Sequence, residues 1–388
     1  NVNYQTIIRN ISNSMQEKVH LSFLKWALGV HRKASNIGVW GETGRFPLIF
    51  EAIRLSLNYF KRIEALDRNS LVSAALREQK ALNLPWFKNI KAIIKVDEIY
   101  SLDHVFAHRA AQATLKPKCS MTKAPKNHPL FTFITHDHTV KLKPVPSKKF
   151  RVGKVIETLK NFFTSCWEQL KSTSPKLEFY HSVKEKFCKE PYLDLCKGFS
   201  RRYSTTQLRI SAHKLQIEQG RYANLPREQR ICTWCESSLG LKIIENENHV
   251  LYECDLYSKL RSKLIFNLNN IPFTTSESES TSPSNGLNIN SSNFKLHLMS
   301  ILSPNHPIAN AQNSASDWHK EIHDHRTLNI RFNTPAYITF YKRRSYAVNN
   351  ICTFILKCFE ERTKLLDDAR KTQIEARIFN NVIINFLR

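Results

Sequence analysis

The chain has 388 residues, 41% of them apolar and 23% charged, which is the balance of a folded protein rather than a disordered or collagen-like one. Lys and Arg total 58 against 33 for Asp and Glu, so the net charge is +25, a field that concentrates polyanions. Gly, at 9 residues, is too scarce for folds built on glycine turns, no G-x-G-x-x-G or G-x-x-x-x-G-K-[ST] loop occurs, and no run of about 18 apolar residues or signal-peptide pattern offers a membrane span or leader.

In chain order, residues 1–95 read as a helical region. LSFLKWALGV, from Leu21, carries apolar residues at helical spacing. A polar turn with Gly38, Gly41 and Gly44 follows, and Pro47 suits the first turn of a new helix. The apolar face expected there is Leu48, Ala52, Leu55, Tyr59 and Ile63, with Arg54, Lys61 and Arg62 off it. Residues 96–155 form an irregular connecting segment. Its FTFITHDHTVKLKPVP is a short hairpin or an extended linker, and His136, Asp137 and His138 read as an exposed turn rather than a metal site.

Residues 156–270 combine helical patterns around 155–170 and 178–187 with a basic stretch and a cysteine motif. Residues 271–293 include a Ser/Asn-rich run expected to be a disordered linker. Residues 294–388 end in a long helix expected over 345–376. The fold class is therefore mainly α: a helical N-terminal region, a small metal module, and a C-terminal helix after a linker. His319, His323 and His325 lie close in sequence but read as surface histidines, and Cys166, Cys188 and Cys196 read as core.

Nine cysteines is an odd number without regular spacing, which points to a reducing compartment and to metal ligation rather than a disulfide framework. Cys232 and Cys235, separated by two residues, form a knuckle, and His249 and Cys254 complete the four ligands of one structural Zn²⁺. His249 and Cys254 stand five apart, about 140° around an ideal helix, so they cannot share one face. A short helix carrying His249 is expected to end before Cys254, and Asp255 is expected to cap a new helix through Leu256, Leu260 and Leu264. Four protein ligands make a closed, structural site.

Just before the motif, SRRYSTTQLRISAHKLQIEQGRYANLPREQR presents Arg201, Arg202, Arg209, Lys214, Arg221, Arg227 and Arg230 with Tyr203 and Tyr222 interleaved. Cations of this kind meet phosphates, and aromatics stack on unpaired bases. The plainer reading is a solvated helix face.

Three segments resemble the region downstream of the reverse transcriptase domain in non-long-terminal-repeat (LINE-type) retrotransposon proteins. They are FLKWALGVHRKASNIGVWGETGRFPL at 23–48, LRISAHKLQIEQGRY at 208–222, and RICTWCESSLGLKIIENENHVLYECDLYSKLR at 230–261. The resemblance places the family's zinc ligands on Cys232, Cys235, His249 and Cys254. It places its Gly-Glu-x-Gly-Arg-x-Pro element on Gly41, Glu42, Gly44, Arg45 and Pro47. It implies a region that helps to hold template RNA or target DNA, in a nuclear or cytoplasmic ribonucleoprotein, beside the polymerase domain of the same polyprotein.

No [FY]-x-D-D and no Pro-Asp dipeptide occurs, and Leu366-Asp367-Asp368 lies in a helical, charged pattern. The chain alone is therefore expected to lack catalysis, any catalytic domain lying before Asn1. The alternatives are a diverged metal-dependent nuclease and a zinc-stabilised protein–protein scaffold.

Overall fold

The computed structural model describes residues 4–67, 69–95, 151–271, 294, 298 and 335–387, with the side chains of the last helix described at 341–372 and 374. Most of the 96–155 segment, with His136, Asp137 and His138, lies outside the described residues, as do 272–293 and His319, His323 and His325. The described residues are mainly α-helical, with two isolated antiparallel bridges, Thr43 to Lys189 and Ile231 to Ile244. The N-terminal helices are α1 (Tyr4–Asn13), α2 (Met15–Ala27), α3 (Asn36–Thr43), α4 (Leu48–Glu64) and α5 (Leu71–Ala81), followed by helical residues 85–95. After these come α6 (Val152–Thr173), α7 (Glu178–Val183), α8 (Tyr192–Leu195), α9 (Phe199–Arg209), α10 (Gln216–Tyr222), α11 (Thr233–Leu239), α12 (Ser258–Asn269) and α13 (Pro335–Leu387). Contacts divide the chain into two units interleaved in sequence, residues 1–24 with 45–173 and residues 25–44 with 174–388.

In the first unit α6 packs on α1 and α4. Phe163 of α6 meets Phe46 and Phe50 edge-on, with ring centroids 5.8 and 5.7 Å apart. The buried face of α4 is Phe50, Ile53, Leu57, Phe60 and Ile63. Of the face expected from the sequence only Ile63 is buried; Leu48, Leu55 and Tyr59 are exposed. α4 carries two apolar stripes at helical spacing, and the one with two phenylalanine rings turns inward. The start of α4 is capped from outside: buried Glu17 accepts from the Leu48 amide at 2.7 Å and lies 3.0 Å from His20 Nδ1.

In the second unit α13 packs against α8, α9 and α12. Its buried positions, Ala347, Val348, Ile351, Cys352, Ile355 and Cys358, recur at steps of three and four along one stripe. The helix extends well beyond the expected 345–376 at both ends.

Beneath α3 and α9 lies a sealed ionic cluster. Arg209 Nε donates to both carboxylate oxygens of Glu42, at 3.1 and 3.0 Å, and Arg209 Nη2 reaches Glu190 Oε2 at 3.2 Å. Lys184 pairs with the second Glu190 oxygen, and Tyr192 Oη donates to Glu42 Oε2 at 2.6 Å. Two carboxylates face two cations, so the cluster is neutral although all four groups are buried. Burial pushes the Glu190 carboxyl up, with Arg209 opposing. Gly44 ends α3 with φ +60, and a Cβ there would stand 2.2 Å from the Lys189 amide nitrogen, so this close crossing requires glycine.

Candidate metal centre and basic surface

The Ile231 to Ile244 bridge brings two short segments together. Cys232 N donates to Ile243 O at 2.7 Å and Glu245 N to Arg230 O at 2.9 Å. Cys232 then occupies the N-cap of α11 and Cys235 its first turn. The second pair of ligands flanks a π-turn, His249–Glu253, closed by a Cys254 N to His249 O bond of 2.8 Å. Asn246 Oδ1 accepts from the His249 amide at 2.8 Å and fixes the entry to that turn. The break required between His249 and Cys254 is thus the wide i→i+5 ring of a π-turn, which brings residues five apart back to one side. Asp255 does not cap: it begins a 3₁₀ turn, Asp255–Tyr257, whose N-cap position is Cys254, with no side-chain cap bond. Of the expected face beyond it Leu264 is buried, and Leu256 and Leu260 are partly covered.

The four ligand atoms of Cys232, Cys235, His249 and Cys254 all lie within 4.8 Å of one another, and all four residues are buried. Cys232 Sγ stands 4.0 Å and Cys235 Sγ 3.8 Å from Cys254 Sγ, and Cys235 Sγ stands 3.3 Å from His249 Nε2. Among the described residues this is the one such group able to hold a metal ion. The contact with Cys254 draws the Cys232 thiol down to about 3 against the opposing effect of burial, and the same contact pushes Cys254 well up. Burial lifts Cys235 to about 11. Three thiols at this spacing cannot ionise together without a cation between them.

A surrounding layer, not singled out in the sequence, orients these ligands. His249 Nδ1 lies 3.5 Å from the Glu253 carboxylate, which leaves Nε2 facing the thiols. Arg261 Nη2 donates to the Cys254 carbonyl at 2.6 Å. Glu245 is the hub. Its carboxylate takes a two-pronged Arg362 at 2.7 and 2.7 Å and the Gln216 amide at 2.7 Å, while its carbonyl accepts from Ile217 N at 3.0 Å. The hairpin thereby fixes the first turn of α10. The i,i+4 spacing of His249 and Glu253 was readable in the sequence; the pairing of Glu245 with Arg362, 117 positions away, was not.

The expected nucleic-acid contacts separate into two groups. Arg209 is fully buried against Glu42 and Glu190 and does not reach solvent; the two carboxylates offset the loss of water around its charge. Arg230 clamps the carbonyls of Leu225 and Ile217 at 2.8 and 3.0 Å, closing the loop after α10. Tyr203 packs its ring on Gly29, where a Cβ would stand 2.1 Å from the ring, so one face is taken. Arg202 lies over Phe199 at 4.7 Å and donates to Leu193 O at 3.3 Å. Arg227 pairs with Glu178 at 2.8 Å on the surface. Lys214 and Tyr222 are exposed, and Arg201 and Arg221 are partly so.

Comparison with known proteins finds no matching family model, curated protein or solved structure.

Proposed function

We propose that the chain is a nucleic-acid-binding accessory region of a LINE-type retrotransposon reverse transcriptase protein. In this reading one structural Zn²⁺ on Cys232, Cys235, His249 and Cys254 steadies basic helices that hold template RNA or target DNA. The observation that carries the reading is the Glu245 hub, which ties the metal module to the first turn of α10, the helix that presents Arg221 and Tyr222. Zinc is favoured by the ligand set and by size: a tetrahedron with Zn–S near 2.3 Å has sulfur–sulfur edges of about 3.8 Å. The observed separations are 3.8 and 4.0 Å. A non-catalytic role is supported by the buried carboxylates. Glu42, Glu190, Glu245 and Glu247 are each engaged by Arg, Lys or His, and Asp367 and Asp368 lie exposed along α13.

Elemental analysis of the purified protein should find about one zinc per chain. Less than half an equivalent, with Cys232→Ser leaving protease resistance unchanged, would end the zinc reading. Fluorescent single-stranded RNA and DNA should bind with an affinity that falls as salt rises. Primer extension and nicking in Mg²⁺ or Mn²⁺ should both be absent. An activity that co-purifies and disappears on mutation of one of the chain's carboxylates would replace this reading with a nuclease. Salt-insensitive protein binding without nucleic-acid affinity would replace it with a scaffold.

A further inference from the structure

The second unit gathers, around one exposed ring, cations that are scattered in the sequence. Tyr222 at the end of α10 is 47% exposed. Lys33 Nζ and Lys176 Nζ lie 5.6 and 5.7 Å from its ring centroid, and the His31 ring meets it edge-on at 6.4 Å. Lys25 joins them, its ammonium donating to Arg32 O at 2.8 Å. Glu218 faces this set and is buried, divided between Lys176 at 3.4 Å and Arg221 at 3.1 Å. Burial, and after it Lys176, holds the Lys25 ammonium below its usual pKa, and burial followed by Lys176, Lys25 and Lys33 does the same for His31.

A fold that collects like charges from residues 25–33, 176 and 221 around an exposed ring, with Glu218 divided between two of them, is suited to an anion. An isolated phosphate or an acidic peptide would satisfy the ammonium groups but leave the ring without a role. A strand with unpaired bases satisfies both: phosphates meet the ammonium groups, of which Lys176 Nζ already donates to Tyr222 Oη at 3.4 Å at the edge of the ring, while a base lies on the ring face. In a duplex the base faces are already stacked and unavailable.

We infer that Tyr222, with Lys25, His31, Lys33 and Lys176, forms a seat for one unpaired nucleotide of a single-stranded nucleic acid. The seat rests on the nucleic-acid reading above and gives it a location. Tyr222 is the stacking platform, and Lys33 and Lys176 meet the flanking phosphates.

The test is fluorescence anisotropy of the full zinc-loaded chain with a short labelled RNA, the same sequence as single-stranded DNA, and its duplex, over a range of salt. Tyr222→Ala should weaken both single strands by about 5- to 150-fold and leave the duplex unchanged, and Tyr222→Trp should bind at least as well as wild type. The double variant Lys33→Gln, Lys176→Gln should make the salt slope shallower by up to about 1.4. In NMR titrations of wild type, bound RNA should raise the pKa of His31, because phosphates offset Lys25, Lys33 and Lys176. Tyr222→Ala binding as wild type, a duplex losing as much as the single strands, or poly-glutamate losing as much as RNA each overturns the seat. Failure of wild type to bind any strand overturns the broader reading as well, whereas wild-type binding with unaffected variants overturns the seat alone.

Discussion

Arg209 shows how one side chain changes meaning with its surroundings. In the sequence it is one of a run of cations; in the fold it is wholly buried, with its charge held by burial-opposing contacts with Glu190 and Glu42. Glu42 is 167 positions away, so no local pattern could reveal the pair. Because Glu42, Glu190, Arg209 and Lys184 sum to zero charge, removing one cation leaves an uncompensated buried carboxylate. Arg209→Ala should therefore cost about 3–5 kcal/mol in urea unfolding, far above a surface arginine. Glu42→Gln, which keeps the shape and a hydrogen-bond partner for Tyr192 but leaves one buried cation uncompensated, should also cost about 3–5 kcal/mol. A loss for Arg209→Ala as small as that of an exposed site such as Lys214→Ala would contradict this account.

Among the elements, the link between the metal hairpin and α13 decides how local damage spreads. Arg362 and Glu245 are both nearly sealed, and contact with Glu245 holds the guanidinium charged despite burial. Arg362→Leu should destabilise the protein by about 3–5 kcal/mol by stranding Glu245. Limited proteolysis of this variant should open both α13 and the hairpin; cleavage confined to one of them would show that they are not coupled. The double variant with Glu245→Gln should recover part of the loss. The clustering of Cys232, Cys235, His249 and Cys254 was legible because the knuckle is a local pattern, and the need for a helix break between His249 and Cys254 followed from helical geometry alone. The π-turn that supplies the break was not legible, since nothing in HVLYE distinguishes a wide turn from a regular one. The inward stripe of α4 was misread because two apolar faces compete on it, and only packing on Phe163 selects between them. Most of the length of α13 was visible from its spacing; its partners were not.

For the whole molecule, the proposed nucleic-acid binding poses a choice between a diffuse field of +25 and built surfaces. A diffuse field is indifferent to how the helices are arranged, so its salt dependence would survive local unfolding. The Glu245 hub implies the opposite, because α10 and Tyr222 take their position from the hairpin that the cysteines close. On the proposal that the cluster holds zinc, a chelator would leave the Lys and Arg count untouched but release this hairpin; in small modules such a metal is worth an apparent ~10–16 kcal/mol of folding free energy. We expect the stripped protein to bind single-stranded RNA at least roughly ten-fold more weakly, with a shallower salt slope, because fewer phosphates are met at once. If about five phosphates are neutralised in the loaded protein, its slope lies near −3.5. Circular dichroism and protease sensitivity should change in parallel, and zinc added back should restore all of them. Stripped protein that binds with the same affinity and slope, while its protease sensitivity rises, would show that net charge alone accounts for binding and that the hub serves folding only.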